Sequence, residues 1–316
     1  MIDIYLTDID DQNKLKQIDE FQKGSWIHLE APTHEEIERI SRKLAIPLDF
    51  LKDALDEEEV SRIDREDDAT LIIVDYPYVE YDERDKIHVY QTRPIGMVIT
   101  SDYVVTVCGE HTPIIDFFTS KRVREFYTYK HTRFALQFLS VISSFYIRYL
   151  MQIDRLTIEI EEQLRASMRN KEIYRLMALE KSLVYFATSL RSGQMILRKL
   201  TSGYYVKMYS EDQDLLDDVI IEIAQAIEMT EVYSNILSSM MDAFGSIISN
   251  NLNVVMKKLT SITILISLPT LITGFYGMNI NGLPLATHDA GTLIVFIGMA
   301  ILVIVLAIIF RRGNLL

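Results

Sequence analysis

Asn253, Met256, Thr260, Thr263, Ser267, Thr270 and Gly274 recur at intervals of three and four residues within an otherwise apolar stretch. On a helix turning 100° per residue they share one stripe, an arc of roughly 100°, while Ser261 and Thr273 fall off it. In lipid such a stripe has two uses: close packing against a neighbouring helix, or a polar lining past which ions move. Tyr276-Gly277-Met278-Asn279 follows directly. Gly and Asn at that point can cap the helix. Taken alone the motif is short enough to occur by chance, and its position at the end of a polar-striped span is what sets it apart. Carboxylates gather elsewhere, in Asp53-Ala54-Leu55-Asp56-Glu57-Glu58-Glu59 and in Glu211, Asp212, Asp214, Asp217 and Asp218. Surface acids of this kind usually do no more than solvate a face.

Two apolar runs must hold the stripe and its terminal motif, Leu259–Tyr276 and Thr292–Phe310, each near the roughly 20 residues that cross a bilayer. Asp289 is the only formal charge from Leu259 through Phe310. Lys257 and Lys258 precede the first run and Arg311 and Arg312 follow the second. Positive flanks at both outer ends predict a multi-pass protein of the cell membrane with both termini cytoplasmic and a short outer loop. A net charge of −13 over 316 residues excludes nucleic acid as a natural partner and favours cations. Cys108 is the single cysteine, so internal disulfides and thiolate metal cages are excluded. The start, MIDIYLTDIDDQ, carries no signal-peptide pattern. Six histidines and one cysteine in no recognisable nucleophile or metal spacing argue against an enzyme.

Upstream of the membrane runs, strand signals rich in β-branched and aromatic residues recur at Trp26–Leu29, Thr70–Tyr76, Ile87–Tyr90, Ile95–Thr100 and Tyr103–Cys108. Ser101-Asp102 predicts a hairpin turn between the last two. Thr33-His34-Glu35-Glu36 predicts a capping box, and Pro47 opens a second helix through Leu55. From Arg133 to Leu200 the scarcity of Gly and Pro predicts a helical pair broken near Arg169-Asn170. From Asp214, apolar residues in steps of three and four (Ile220, Ile223, Ile227, Leu237, Met241, Phe244, Ile248) run without a proline into the first span. One helix of that extent needs partners for its seam, which predicts an oligomeric stalk. Pro269 removes one hydrogen bond inside the first span and can bend it.

The resulting expectation is an α+β membrane protein. Its parts are a cytoplasmic α/β domain (1–130), a helical hairpin (131–213), a stalk helix (214–258) continuous with the first transmembrane helix (259–276), an outer loop (277–291), a second transmembrane helix (292–310) and a cytoplasmic tail (311–316).

YGMN at the end of the first of two C-terminal spans, the layout of the chain and the Trp-Ile start of a strand resemble the CorA-type magnesium channel family. The resemblance implies a homopentamer with first spans around the axis and Gly277, Met278 and Asn279 as its selectivity filter. It also implies Mg²⁺ as cargo, with Co²⁺ or Ni²⁺ beside it, and no organic cofactor or protein partner. Mg²⁺ sheds its waters reluctantly, so recognition of the hydrated ion by oxygens suits it. In the family, an aspartate after a Pro-Leu helix start shares regulatory Mg²⁺ with an aspartate of the neighbouring stalk. Pro47-Leu48-Asp49-Phe50-Leu51-Lys52-Asp53 matches, making Asp53 that residue, with Asp218 opposite and Asp217 or Asp214 as alternatives. The sequence departs from the family at Lys52, where a second acid is expected, and at Leu285, where an acid is usual in the outer loop. Rival expectations are a zinc transporter of the same architecture and a membrane-anchored sensor or scaffold.

Overall fold

Thr33 begins the first helix as the capping pattern requires. Its hydroxyl accepts from Glu36 N (3.3 Å) while Glu36 Oε2 accepts from Thr33 N (2.9 Å), closing a reciprocal box ahead of α1, His34–Leu44. A computed structural model describes the chain except residues 9–13, 83–86, 121, 168–169, 279–282, 286–288, 314 and 316. The elements in order are β1 (Ile2–Asp8), β2 (Lys14–Ile18), β3 (Trp26–Glu30), α1, α2 (Leu48–Asp53), β4 (Arg62–Glu66), β5 (Ala69–Asp82), β6 (Ile87–Ile99) and β7 (Val104–Cys108). Then come α3 (Pro113–Thr119), α4 (His131–Ala166), α5 (Asn170–Leu200), α6 (Gln213–Tyr276) and α7 (Gly291–Arg312). They fall into two units, Met1–Ser239 and Met240–Leu316, and α6 contributes to both.

The strands of the first unit form one mixed sheet in the order β2-β1-β3-β7-β6-β5-β4, parallel only between β3 and β7. Alternation along the strands sends two sets of side chains to opposite faces. Ile27, Leu29, Leu71, Ile73, Val105 and Val107 join Ile37, Ile40, Phe50 and Leu51 of α1 and α2 in one apolar core. On the opposite face Trp26 stacks edge-on to Phe118 of α3 and Phe134 of α4, with ring centroids 6.1 and 5.2 Å away. Both faces are therefore covered.

Three strands escape the sequence reading: β1, β2 and β4. The alternation Ile2-Asp3-Ile4-Tyr5-Leu6 carried the first of them. The runs Ile87–Tyr90 and Ile95–Thr100 prove to be one strand, β6, continuous through Pro94. Proline is tolerated there because β7 pairs with β6 only from Ile95 to Ile99, so Pro94 lacks a donor on an unpaired edge. Its other edge pairs with Asp75 of β5. The β5–β6 extension beyond that point is a ribbon on which α4 and α5 rest. Tyr146 Oη donates to Asp75 O (3.0 Å), Ser189 Oγ to Asp75 Oδ2 (2.6 Å), and Tyr90 N to Ser182 Oγ (3.2 Å).

One close approach places the acidic end of α2. A Cβ built on Gly96 of β6 would stand 2.3 Å from the Cβ of Ala54, the residue that follows Asp53. Only glycine lets α2 settle so near the sheet. Gly96→Ala is expected to lift the end of α2 and cost about 1–3 kcal/mol, the usual range for overpacking. Urea midpoints of the purified protein would measure this, and an unchanged midpoint would show that α2 yields without strain.

His28 is 2% exposed on β3, its Nδ1 3.0 Å from the Thr106 hydroxyl, which also accepts from Trp26 Nε1 (2.8 Å). Burial pushes its pKa down to about 4, against the opposing pull of Glu30 and Asp116. A histidine depressed in the folded state binds fewer protons than the unfolded chain. Its contribution is thus complete above about pH 6.5 and drains away as pH falls toward 4, with a total on the order of 3 kcal/mol. Unfolding followed by the fluorescence of Trp26, the single tryptophan, should show the parent losing more stability over that interval than His28→Gln. Parallel pH curves would overturn the assignment.

Candidate functional site

Among the described residues, three helices are long and apolar enough to cross a membrane, and their surroundings separate them. The most apolar window of α4 is 67% buried, so its apolar residues already have protein partners. The corresponding windows of α6 and α7 are 6% and 0% buried, leaving their apolar surface for lipid or for other copies of the chain. A soluble protein does not leave that much contiguous apolar helix uncovered. The chain is an integral membrane protein, and the membrane-crossing part of α6 continues the helix that starts at Gln213.

Every stripe residue of α6, Asn253, Met256, Thr260, Thr263, Ser267, Thr270 and Gly274, is exposed. The hydroxyls have a definite orientation. Thr263 Oγ1 donates to Leu259 O (2.8 Å), Ser267 Oγ to Ile264 O (3.2 Å) and Thr270 Oγ1 to Ile266 O (3.0 Å). Each proton is spent on the residue's own helix. The oxygen lone pairs are left as acceptors along the stripe, suited to the waters of a cation and ill suited to an anion. Thr263, Ser267 and Thr270 also line one shallow hollow, and Asn253 borders another together with Asp242, Ser246, Ser249 and Asn250.

At the end of α6, Gly277 N donates to Thr273 O (2.9 Å) and Met278 N to Phe275 O (3.3 Å). A Cβ on Gly277 would lie 3.2 Å from Thr273 O and 3.5 Å from Gly274 O, so the backbone turns tightly against the last helical carbonyls. Met278 is exposed. Asn279 lies outside the described residues, as does much of the outer loop.

In the first unit, Asp53 stands at the C-terminal end of α2 with its side chain one-third exposed. Its Oδ2 accepts from Arg62 Nη2 at 2.6 Å, and among the described residues its second oxygen has no donor. Asp217 and Asp218 are both exposed near the start of α6, Asp217 accepting from Gln213 (3.3 Å). One turn on, half-buried Glu222 accepts from Ser140 (3.0 Å). Burial raises its pKa, and the neighbouring Asp218 charge raises it further. No hydrogen bond or ion pair joins Asp53 to Asp217 or Asp218 among the described residues of one chain, nor do any three His, Cys, Asp or Glu side chains there converge to hold a metal. Sequence reasoning missed Arg62, although its basic character nine residues after Asp53 was plain; nothing local revealed where it points.

A family model described as CorA-like Mg2+ transporter protein matches residues 21–312. The cobalt/magnesium transport protein CorA of Methanocaldococcus jannaschii is 31% identical over 290 residues, covering 92% of this chain and 90% of the relative. A second protein of that name, from Thermotoga maritima, is 21% identical over 91% of this chain and 82% of its own. Among solved structures, the complete CorA magnesium transporter of Methanocaldococcus jannaschii superposes with a TM-score of 0.84 at 28% identity, covering 100% of this chain and 99% of that one. The cytoplasmic domain of ZntB from Vibrio parahaemolyticus covers 78% of this chain and 98% of its own, with a TM-score of 0.60 and 13% identity, a likeness of fold alone.

Proposed function

Because the chain belongs to the CorA-like Mg²⁺ transporter family, we propose that it conducts Mg²⁺ across the cell membrane, with Co²⁺ or Ni²⁺ as further cargo. The observation that carries this reading is the exposed stripe of α6, on which Thr263, Ser267 and Thr270 donate their hydroxyl protons to carbonyls of their own helix and keep their oxygens as acceptors. A lone helix with such a face is poorly solvated by lipid, so the stripe calls for copies of itself around a shared axis. In a homopentamer, five stripes enclose a path lined by acceptors. Gly277, Met278 and Asn279 stand at its outer mouth, where neutral oxygens hold a hydrated dication loosely enough for it to pass. The basic flanks Lys257, Lys258, Arg311 and Arg312 support a topology with both termini in the cytoplasm.

Regulation follows from the acidic faces. Mg²⁺ bridging Asp53 of one subunit and Asp218 of the next, with Asp217 as the alternative partner, holds the closed arrangement. Its departure leaves like charges opposed and drives the subunits apart.

Flux through the purified protein in proteoliposomes, measured in turn with Mg²⁺, Co²⁺, Ni²⁺ and Zn²⁺, tests the cargo. Mg²⁺ flux, with Co²⁺ and Ni²⁺ competing for it, is the expected result. Zn²⁺ flux insensitive to excess Mg²⁺ would favour a zinc transporter, although neither His nor Cys lies on the stripe. Absence of all flux would leave a membrane-anchored sensor or scaffold.

A further inference from the structure

Asp53 is held by a cation belonging to its own chain. Arg62 opens β4, its backbone in register with Ile73 of β5, so its guanidinium is delivered to the end of α2 by the sheet. All three of its donor edges are engaged. Nη2 donates to Asp53 Oδ2 and Nε to Asp64 Oδ2, each at 2.6 Å, and Nη1 donates to Glu59 Oε1. Partial burial alone would lower the Arg62 pKa, but the hydrogen bonds it donates to Asp64, Asp53 and Glu59 outweigh that and raise it, so the group is a permanent cation. Three carboxylates around one guanidinium leave two negative charges unbalanced, the charge of one divalent ion.

Resting on the reading of Asp53 as the sensing carboxylate, we propose that Arg62 is a tethered competitor of the sensing cation. Mg²⁺ and the guanidinium claim the same carboxylate, and two positive groups cannot both sit against it without repulsion. Binding of the ion therefore works against the Arg62 pair, directly at Oδ2 and by repulsion across the carboxylate at the undonated oxygen. Glu59 and Asp64 give the released guanidinium somewhere to stay, so the exchange leaves no cation unpaired. The competition sets the closing concentration of Mg²⁺ higher than Asp53 alone would set it. It also penalises weak monovalent competitors, which cannot displace a forked, charge-assisted pair.

Calorimetric titration of full-length protein in detergent with MgCl₂, at constant ionic strength, separates this proposal from the reading beneath it. Arg62→Gln is expected to lower the Mg²⁺ midpoint about tenfold, or about 1.4 kcal/mol. Asp53→Asn should weaken binding, and adding Arg62→Gln to it should restore nothing, because the contested carboxylate is gone. A midpoint unchanged or raised in Arg62→Gln, with binding still weakened in Asp53→Asn, overturns the competitor role and leaves the sensor standing. Unaltered binding in Asp53→Asn overturns the sensor and the competitor together. Should Arg62→Gln fail to assemble, Arg62→Lys carries the test. A single ammonium cannot span three carboxylates, so its hold on Asp53 is weaker and the midpoint should fall on the order of threefold; no fall overturns the proposal.

Discussion

Asn279→Ala is expected to abolish Mg²⁺ flux into proteoliposomes, by a factor of roughly a hundred or more, and Gly277→Ala to reduce it severely. In a homo-oligomer one substitution removes the same amide oxygen from every subunit at once. Hydrogen bonds to a charged group contribute about 1.5–3 kcal/mol each, so losing even two from the water shell of Mg²⁺ raises the entry barrier by several kcal/mol. Alanine supplies no acceptor in return. Gly277→Ala acts differently, since its new Cβ would press on Thr273 O at 3.2 Å and displace the turn that aims the filter. Size-exclusion chromatography should show both variants assembled as the parent is. Undiminished flux in both would end the filter assignment, and loss in Gly277→Ala alone would assign the motif to helix capping.

Asp53→Ala should leave the channel open at internal Mg²⁺ concentrations that close the parent, with the half-inhibiting concentration displaced at least about tenfold. A dication bridging two carboxylates loses one of its two charged ligands, and each tenfold change corresponds to about 1.4 kcal/mol. Asp218→Ala should behave alike, because the bridge fails from either side. If Asp217→Ala is the stalk variant that escapes inhibition while Asp218→Ala is not, the stalk ligand is Asp217 and the subunits meet one residue earlier. Equal inhibition of parent and Asp53→Ala would remove Asp53 from the sensor.

Much of this could be read from the chain because it is periodic or local. The stripe from Asn253 to Gly274 needs only the helical repeat, the spans need only apolar length, and the Thr33–Glu36 box closes within four residues. Ser101-Asp102 marked the β6–β7 hairpin for the same reason, with Thr100 N donating to Tyr103 O across it (2.9 Å).

Other features depended on which surfaces meet. α4 is apolar enough to span a bilayer, and only its burial beneath the sheet and against α5 accounts for that apolarity without lipid. The runs Ile87–Tyr90 and Ile95–Thr100 read as two strands, and only the pairing of β5 along the whole of β6 joins them through Pro94. Gly96 mattered once Ala54 lay over it, and Asp53 gained its ion-pair partner once β4 carried Arg62 to its side. Backbone periodicity and capping are written in neighbouring residues, whereas an ion pair or a close approach between β4, β6 and α2 depends on sheet register and packing, which no short stretch of sequence contains.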